Sequence, residues 1–163
     1  MHSVFNWSGG KDSALCLYHV LQEGKYKVDR LLTTLSGATN RVTMHGVRQE
    51  LLLKQAEKIG LPLQQILLPE DASMSAYNTL MDNTMRGLQQ QGITQAIFGD
   101  INLEDLRKYR EQQLAQAGMQ AVFPLWGRPT RALVQEFLQF GFKAVVVCVS
   151  ERLLDESFVG RIL

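Results

Sequence analysis

Short runs of apolar and β-branched residues at 4–7, 28–35, 64–68, 96–99, 121–123 and 144–149 alternate with longer stretches at about 12–23, 45–59, 73–91, 103–117 and 130–140, whose apolar residues recur at helical spacing. Runs of the first kind suit strands and stretches of the second suit amphipathic helices. Gly24, Gly60, Gly92, Gly118 and Gly141 each follow a helical stretch, where a left-handed residue closes the last turn. Strand and helix in alternation predict an α/β fold, a doubly wound parallel sheet of about five strands with helices on both faces. No repeat, low-complexity segment or linker interrupts the pattern, so 1–163 reads as a single domain.

The first strand-to-helix junction reads Ser8-Gly9-Gly10-Lys11-Asp12-Ser13. Strand, glycine turn and helix N-terminus in that order make an anion site, because the glycines let phosphate oxygens approach the main chain and the first helical amides point outward with the positive end of the dipole. Lys11 adds a full charge, and Ser8 and Ser13 add hydroxyl donors. The spacing is not that of a Walker A loop, and an Asp follows the Lys. An acid beside bound phosphates implies a magnesium ion between them.

Composition narrows the partners. The chain of 163 residues, 45% hydrophobic and 20% charged, suits one soluble globular domain. A net charge of +1, with Lys and Arg scattered, gives no electrostatic case for nucleic acid. No secretory signal is visible and the longest apolar run, 144–149, is too short to span a bilayer, so a cytoplasmic location with no membrane partner is the default expectation. Cys16 and Cys148 stand in apolar contexts on an expected helix and strand, where each reads as a small hydrophobe.

Ligands of open parallel sheets bind beyond the carboxyl ends of the strands, where strand order reverses. Asp100, directly after the run ending in Gly99, is delivered to that edge as a metal or substrate ligand. Thr33, Thr34 and Ser36 close the second strand, where a nucleotide base could read the backbone; strand propensity alone also accounts for the threonines. Arg107 and Glu111 are four apart and suit an exposed helical ion pair. Arg110 falls on a neighbouring face, from which it could reach a phosphate or a carboxylate. Phe158 and Val159 read as core, with an exposed homodimer face as the alternative.

The six-residue loop resembles the PP-loop, SGGKDS, of the ATP pyrophosphatase superfamily. With Gly99-Asp100-Ile101, Phe123-Pro124-Leu125-Trp126-Gly127-Arg128, the Gly-Phe pair before 144, Gly160-Arg161, Met44-His45-Gly46-Val47-Arg48 and Gln55-Ala56-Glu57, the order of blocks resembles the diphthine-ammonia ligase family, in its bacterial-type branch. The resemblance implies a HUP-like, Rossmann-like fold that binds ATP with Mg2+, forming AMP and pyrophosphate. It implies an acyl-adenylate made from a small-molecule or protein carboxylate acceptor and resolved by ammonia or another amine. Ser8, Gly9, Gly10, Lys11, Asp12, Ser13, Thr34 and Gly99 would bind ATP, Lys11, Asp12 and Asp100 would be catalytic, and Asp12 and Asp100 would hold the metal. Arg110, Glu111 and Arg161 would meet phosphate or substrate. Family members continue beyond the Gly-Arg block, so the C-terminal substrate region is expected to be largely absent from this chain. A non-catalytic ATP- or AMP-sensing module and a tRNA-modifying PP-loop enzyme are the alternative readings.

Overall fold

A computed structural model describes residues 1–43 and 46–163. Two compact units divide the chain, Met1–Gly127 and Arg128–Leu163. The first runs β1 (His2–Asn6), α1 (Lys11–Glu23), β2 (Lys27–Ser36), β3 (Arg41–Val42), α2 (Gln49–Ile59), β4 (Leu63–Leu68), α3 (Met74–Gln90), β5 (Gln95–Ile97), α4 (Glu104–Gln116) and β6 (Gln120–Val122). The second holds α5 (Thr130–Gln139) and a 3-10 turn at Glu156–Phe158.

Five strands are parallel, in the order β4-β2-β1-β5-β6. β1 pairs with the first part of β2, up to Leu32, while β4 pairs with Leu31 to Ser36 on the other edge. Both edges of β2 are therefore taken at Leu31 and Leu32. The two residues of β3, antiparallel to Leu35 and Ser36, lie on the β1 side just beyond the end of β1. Chain order runs outward from β1 to β2 and β4, then returns across the sheet to β5 and β6. Right-handed crossovers consequently put α1 and α2 on one face and α3 and α4 on the other. Val4, Leu32, Ala96, Met85, Leu88 and Leu114 belong to one buried cluster, joining the sheet to α3 and α4. Phe5, Leu31 and Leu35 alternate with that set and are equally buried. A sheet covered on both faces explains why its strands read as continuous apolar runs.

The doubly wound sheet is as expected, and the paired elements lie within a few residues of their expected places. The glycines after the helical stretches all have positive φ. The helix expected at 45–59 starts at Gln49, because the chain first turns back as β3 and passes through Gly46 at φ 65. Of the block Met44 to Arg48, Met44 and His45 lie outside the described residues. The strand expected at 144–149 is not part of the sheet. Val145 makes an isolated antiparallel bridge with Ile162, and Val146 exchanges backbone bonds with Gly160 and Arg161. Val145 and Val147 are exposed, so β propensity here acts without the burial that fixes a sheet strand. Cys148 is exposed rather than a packed small hydrophobe, and Val159 is likewise exposed rather than core. No helix among the described residues is long and apolar enough to cross a membrane.

Candidate functional site

Strand order reverses between β1 and β5, and the connections leaving these two strands supply the polar groups of the site. Residues 7–10 join β1 to α1. Gly9 sits at φ 78, where a side chain would be strained, and a Cβ there would lie 3.1 Å from Gln55 Oε1 and 3.2 Å from Leu52 Cδ2. Gln55 also accepts a hydrogen bond from Trp7 Nε1 at 3.0 Å, so α2 buttresses the loop from behind. Within the loop, Ser13 Oγ accepts from Ser8 N and donates to Asn6 O, and Ser8 Oγ accepts from Gly10 N. Gly10 caps α1 with extended backbone angles and no side-chain cap, while Ala14 N is bonded to Gly10 O. The amides of Lys11, Asp12 and Ser13 consequently lie at the open end of a 13-residue helix, the geometry that accepts an anion. Lys11 Nζ meets Asp12 Oδ1 at 2.6 Å, with both side chains about one-third exposed.

Gly99 closes on the same helix turn from the β5 side. A Cβ at Gly99 would stand 3.2 Å from Asp12 O and from Ser13 Cα. Its glycine is needed for close approach rather than for an unusual φ. Asp100 follows, with Oδ2 2.9 Å from Arg110 Nε on α4. The contact has the distance of an ion pair without the alignment of a hydrogen bond, leaving both atoms buried and otherwise unpartnered. The Arg110 guanidinium stacks 4.2 Å from the centre of the Phe98 ring. Burial pushes the Asp100 carboxyl above its ordinary value; Arg110 pulls it back and Asp12 adds to the rise. Burial lowers Arg110, against the opposing pull of Asp100.

Both connections open into one cavity of about 380 Å3, within the usual range for small-molecule sites. Ser8, Asp12, Ser13, Thr34, Gly99, Asp100 and Arg110 line it and so come together, whereas Gly9 and Gly10 are not among its lining residues. Lys11 stands beside it on Asp12. Thr34 offers the cavity a strand end whose carbonyl already accepts from Thr43 N of the β3 turn. Glu111 is exposed and paired with Arg107 at 2.9 Å, the helical ion pair that the spacing allows. Arg161 lies in the second unit, donates to Ser157 O and stacks on Phe158. Asp12 and Asp100 are hard oxygen donors on one cavity, which suits Mg2+ held by one or two carboxylates plus phosphate. Among the described residues there is no cluster of three or more metal-type ligands.

Several lining residues escape a motif reading. Val42 and Thr43 come from β3 and its turn, too short to show a period. Tyr77, Met81 and Met85 recur every four residues on α3, a stripe that reads as core until the cavity is seen beneath it. The Pro-Leu-Trp turn is tied to the site indirectly. Gly127 N donates to Ile101 O at 2.9 Å, and the Arg107 guanidinium lies over the rings of both Phe123 and Trp126. The Gly-Asp-Ile and Pro-Leu-Trp-Gly blocks, far apart in sequence, are thus one hydrogen-bonded corner.

A family profile described as diphthamide synthase N-terminal domain matches residues 1–121. Among curated proteins none matches the chain. Among solved structures, one described as a predicted subunit of tRNA methyltransferase from Methanocaldococcus jannaschii is similar with a TM-score of 0.57 at 20% identity, over 85% of this chain and 76% of that one. The U34-tRNA thiolase NcsA from Methanococcus maripaludis, solved with its [4Fe-4S] cluster, is similar with a TM-score of 0.50 at 16% identity, over 87% of this chain and 57% of that one. At such identities the likeness concerns the fold.

Proposed function

The chain belongs to the diphthamide synthase N-terminal domain family, and on that footing we propose that it spends ATP to adenylate a carboxylate, which an amine then converts to an amide. Its loop and fold are those of PP-loop, adenine nucleotide alpha hydrolase-like proteins. The observation that carries the reading is the open N-terminus of α1 inside a cavity that also receives Asp12 and Asp100.

In the first step an oxygen of the acceptor carboxylate attacks the α phosphorus. The bond from that phosphorus to the bridging oxygen breaks, and pyrophosphate leaves with the electron pair. The acceptor is already ionised near neutral pH, so no side chain need take a proton at this stage. The Lys11, Asp12 and Ser13 amides and the Lys11 ammonium face the charge that grows on the leaving group. Mg2+, when bound, neutralises phosphate charge, and Asp12 and Asp100 are the residues that would hold it. In the second step the amine nitrogen attacks the acyl carbon, AMP departs, and the nitrogen loses a proton to solvent.

The tRNA-named structural neighbours favour a second reading, in which the adenylated group belongs to an RNA. The nucleotide half of that chemistry is the same. A thiolase-type cluster would need cysteine ligands, and Cys16, the cysteine of the first unit, does not line the cavity. Exchange of labelled pyrophosphate into ATP, measured with carboxylic acids, with RNA and with neither, tests the proposal. Acid-dependent exchange that is lost in Asp12→Ala supports it. Tight ATP binding with no exchange under any condition, unchanged by Asp12→Ala, identifies a nucleotide sensor instead.

A further inference from the structure

Every charged side chain that lines the cavity among the described residues already faces one of opposite sign. Asp12 holds Lys11 and Asp100 holds Arg110. Beyond the phosphate edge, the part bounded by α3 and α4 is mainly apolar and aromatic, with Tyr77, Met81 and Met85 on one helix and Leu106 and Tyr109 on the other, and the remaining polar groups there, Asn102 and Gln113, are uncharged. The Tyr109 hydroxyl donates to Asn78, which fixes its ring as a wall rather than leaving a free donor. A charged head placed here would be desolvated without a counter-ion, whereas an apolar body would be stabilised by burial. Methionine side chains adapt to the shape of what they cover, so the lining suits a flexible chain.

Resting on the adenylation reading above, we infer that the acceptor is a small monocarboxylic acid with an uncharged apolar body, its carboxylate toward α1 and its body between α3 and α4. Binding then grows with chain length, at about fourfold per buried methylene, until the space is filled.

Straight-chain acids from acetate to octanoate are titrated by calorimetry into the full-length protein saturated with a non-hydrolysable ATP analogue, and pyrophosphate exchange is followed for each acid. A stepwise rise in affinity of about fourfold per carbon, flattened by Met81→Gln and kept by Met81→Leu, is the expected result. Affinity independent of chain length overturns the inference, as does tighter binding of the same acids carrying a terminal amino or trimethylammonium group. Exchange that only RNA supports overturns it as well. The two proposals fail separately. A chain-length series that binds without pyrophosphate exchange sinks the adenylation reading and leaves the apolar subsite standing. Exchange indifferent to chain length does the reverse.

Discussion

Replacing Arg110 by Met removes one partner of a buried ion pair and keeps most of the side-chain volume. Breaking a fully buried pair costs about 3–5 kcal/mol, because the remaining charge is stranded. Asp100 and Arg110 keep 14% and 21% of their side-chain surface in water, so about half of that cost, roughly 2 kcal/mol, applies here. Loss of the guanidinium stack on Phe98 adds about 0.5–1 kcal/mol. The sum of about 2–3 kcal/mol corresponds to a fall in Tm of roughly 5–10 °C for a chain of this size. The pH dependence is the sharper signature. Asp100 has a folded-state pKa above its unfolded value, so its contribution to stability is fully present below the unfolded value and is lost as pH rises through the folded one. Arg110 limits that rise in the wild type. Without it the rise grows, so the variant is penalised most near pH 7 and approaches the wild type as acid protonates Asp100. Urea unfolding of wild type, Arg110→Met and Arg110→Met/Asp100→Leu at several pH values measures this. The double variant recovers most of the loss, since no charge is left stranded. A penalty that does not change with pH, or a double variant worse than the single one, refutes the reasoning.

Gly99→Ala forces the backbone of Asp12 and Ser13 to retreat by a few tenths of an ångström, which disturbs the helix turn that offers its amides. It is expected to cost about 1–3 kcal/mol of stability and to weaken ATP binding about tenfold, while Gly87→Ala, with open space at its Cβ, leaves binding unchanged. Equal ATP affinities for the two variants by calorimetry contradict the close-approach argument. Thiol labelling of the native protein at pH 8 is expected to modify Cys148 and spare Cys16, whose thiol is buried and pushed up to about 12, chiefly by burial. Denaturant exposes the second thiol, and fast native labelling of Cys16 would contradict its placement.

The sheet is legible because its central strands are buried on both faces and a glycine follows each helical stretch, two signals that local sequence carries by itself. The phosphate end of the site was legible for the same reason, since loop, cap and acid are contiguous from Ser8 to Ser13. What escaped depends on contacts between distant segments. Gln55 is an ordinary helix residue until Trp7 and Gly9 are found against it. Tyr77, Met81 and Met85 have core spacing, and only the placement of α3 beside the cavity distinguishes lining from core. The run 144–149 failed in the opposite sense, because β-branched composition reports a preference for extended backbone and not a place in a sheet.

The two ion pairs also separate the roles of two acids that the sequence treats alike. Lys11 and Asp12 are adjacent, about one-third exposed and screened by water, so parting them costs about 0.2–1 kcal/mol. Asp100 and Arg110 are mostly buried, and the guanidinium is held in addition by Phe98, so parting them costs several times more. Under the proposed function, a nucleotide entering at the open end of α1 would take the cheaper exchange, with Lys11 turning to phosphate and Asp12 released toward the accompanying cation. Asp100, whose Oδ2 stands 2.9 Å from Arg110 Nε, would then have its other oxygen left for the cation. Under the proposed function Asp12 would therefore be the principal carboxylate for the cation, with Arg110 holding Asp100 in place.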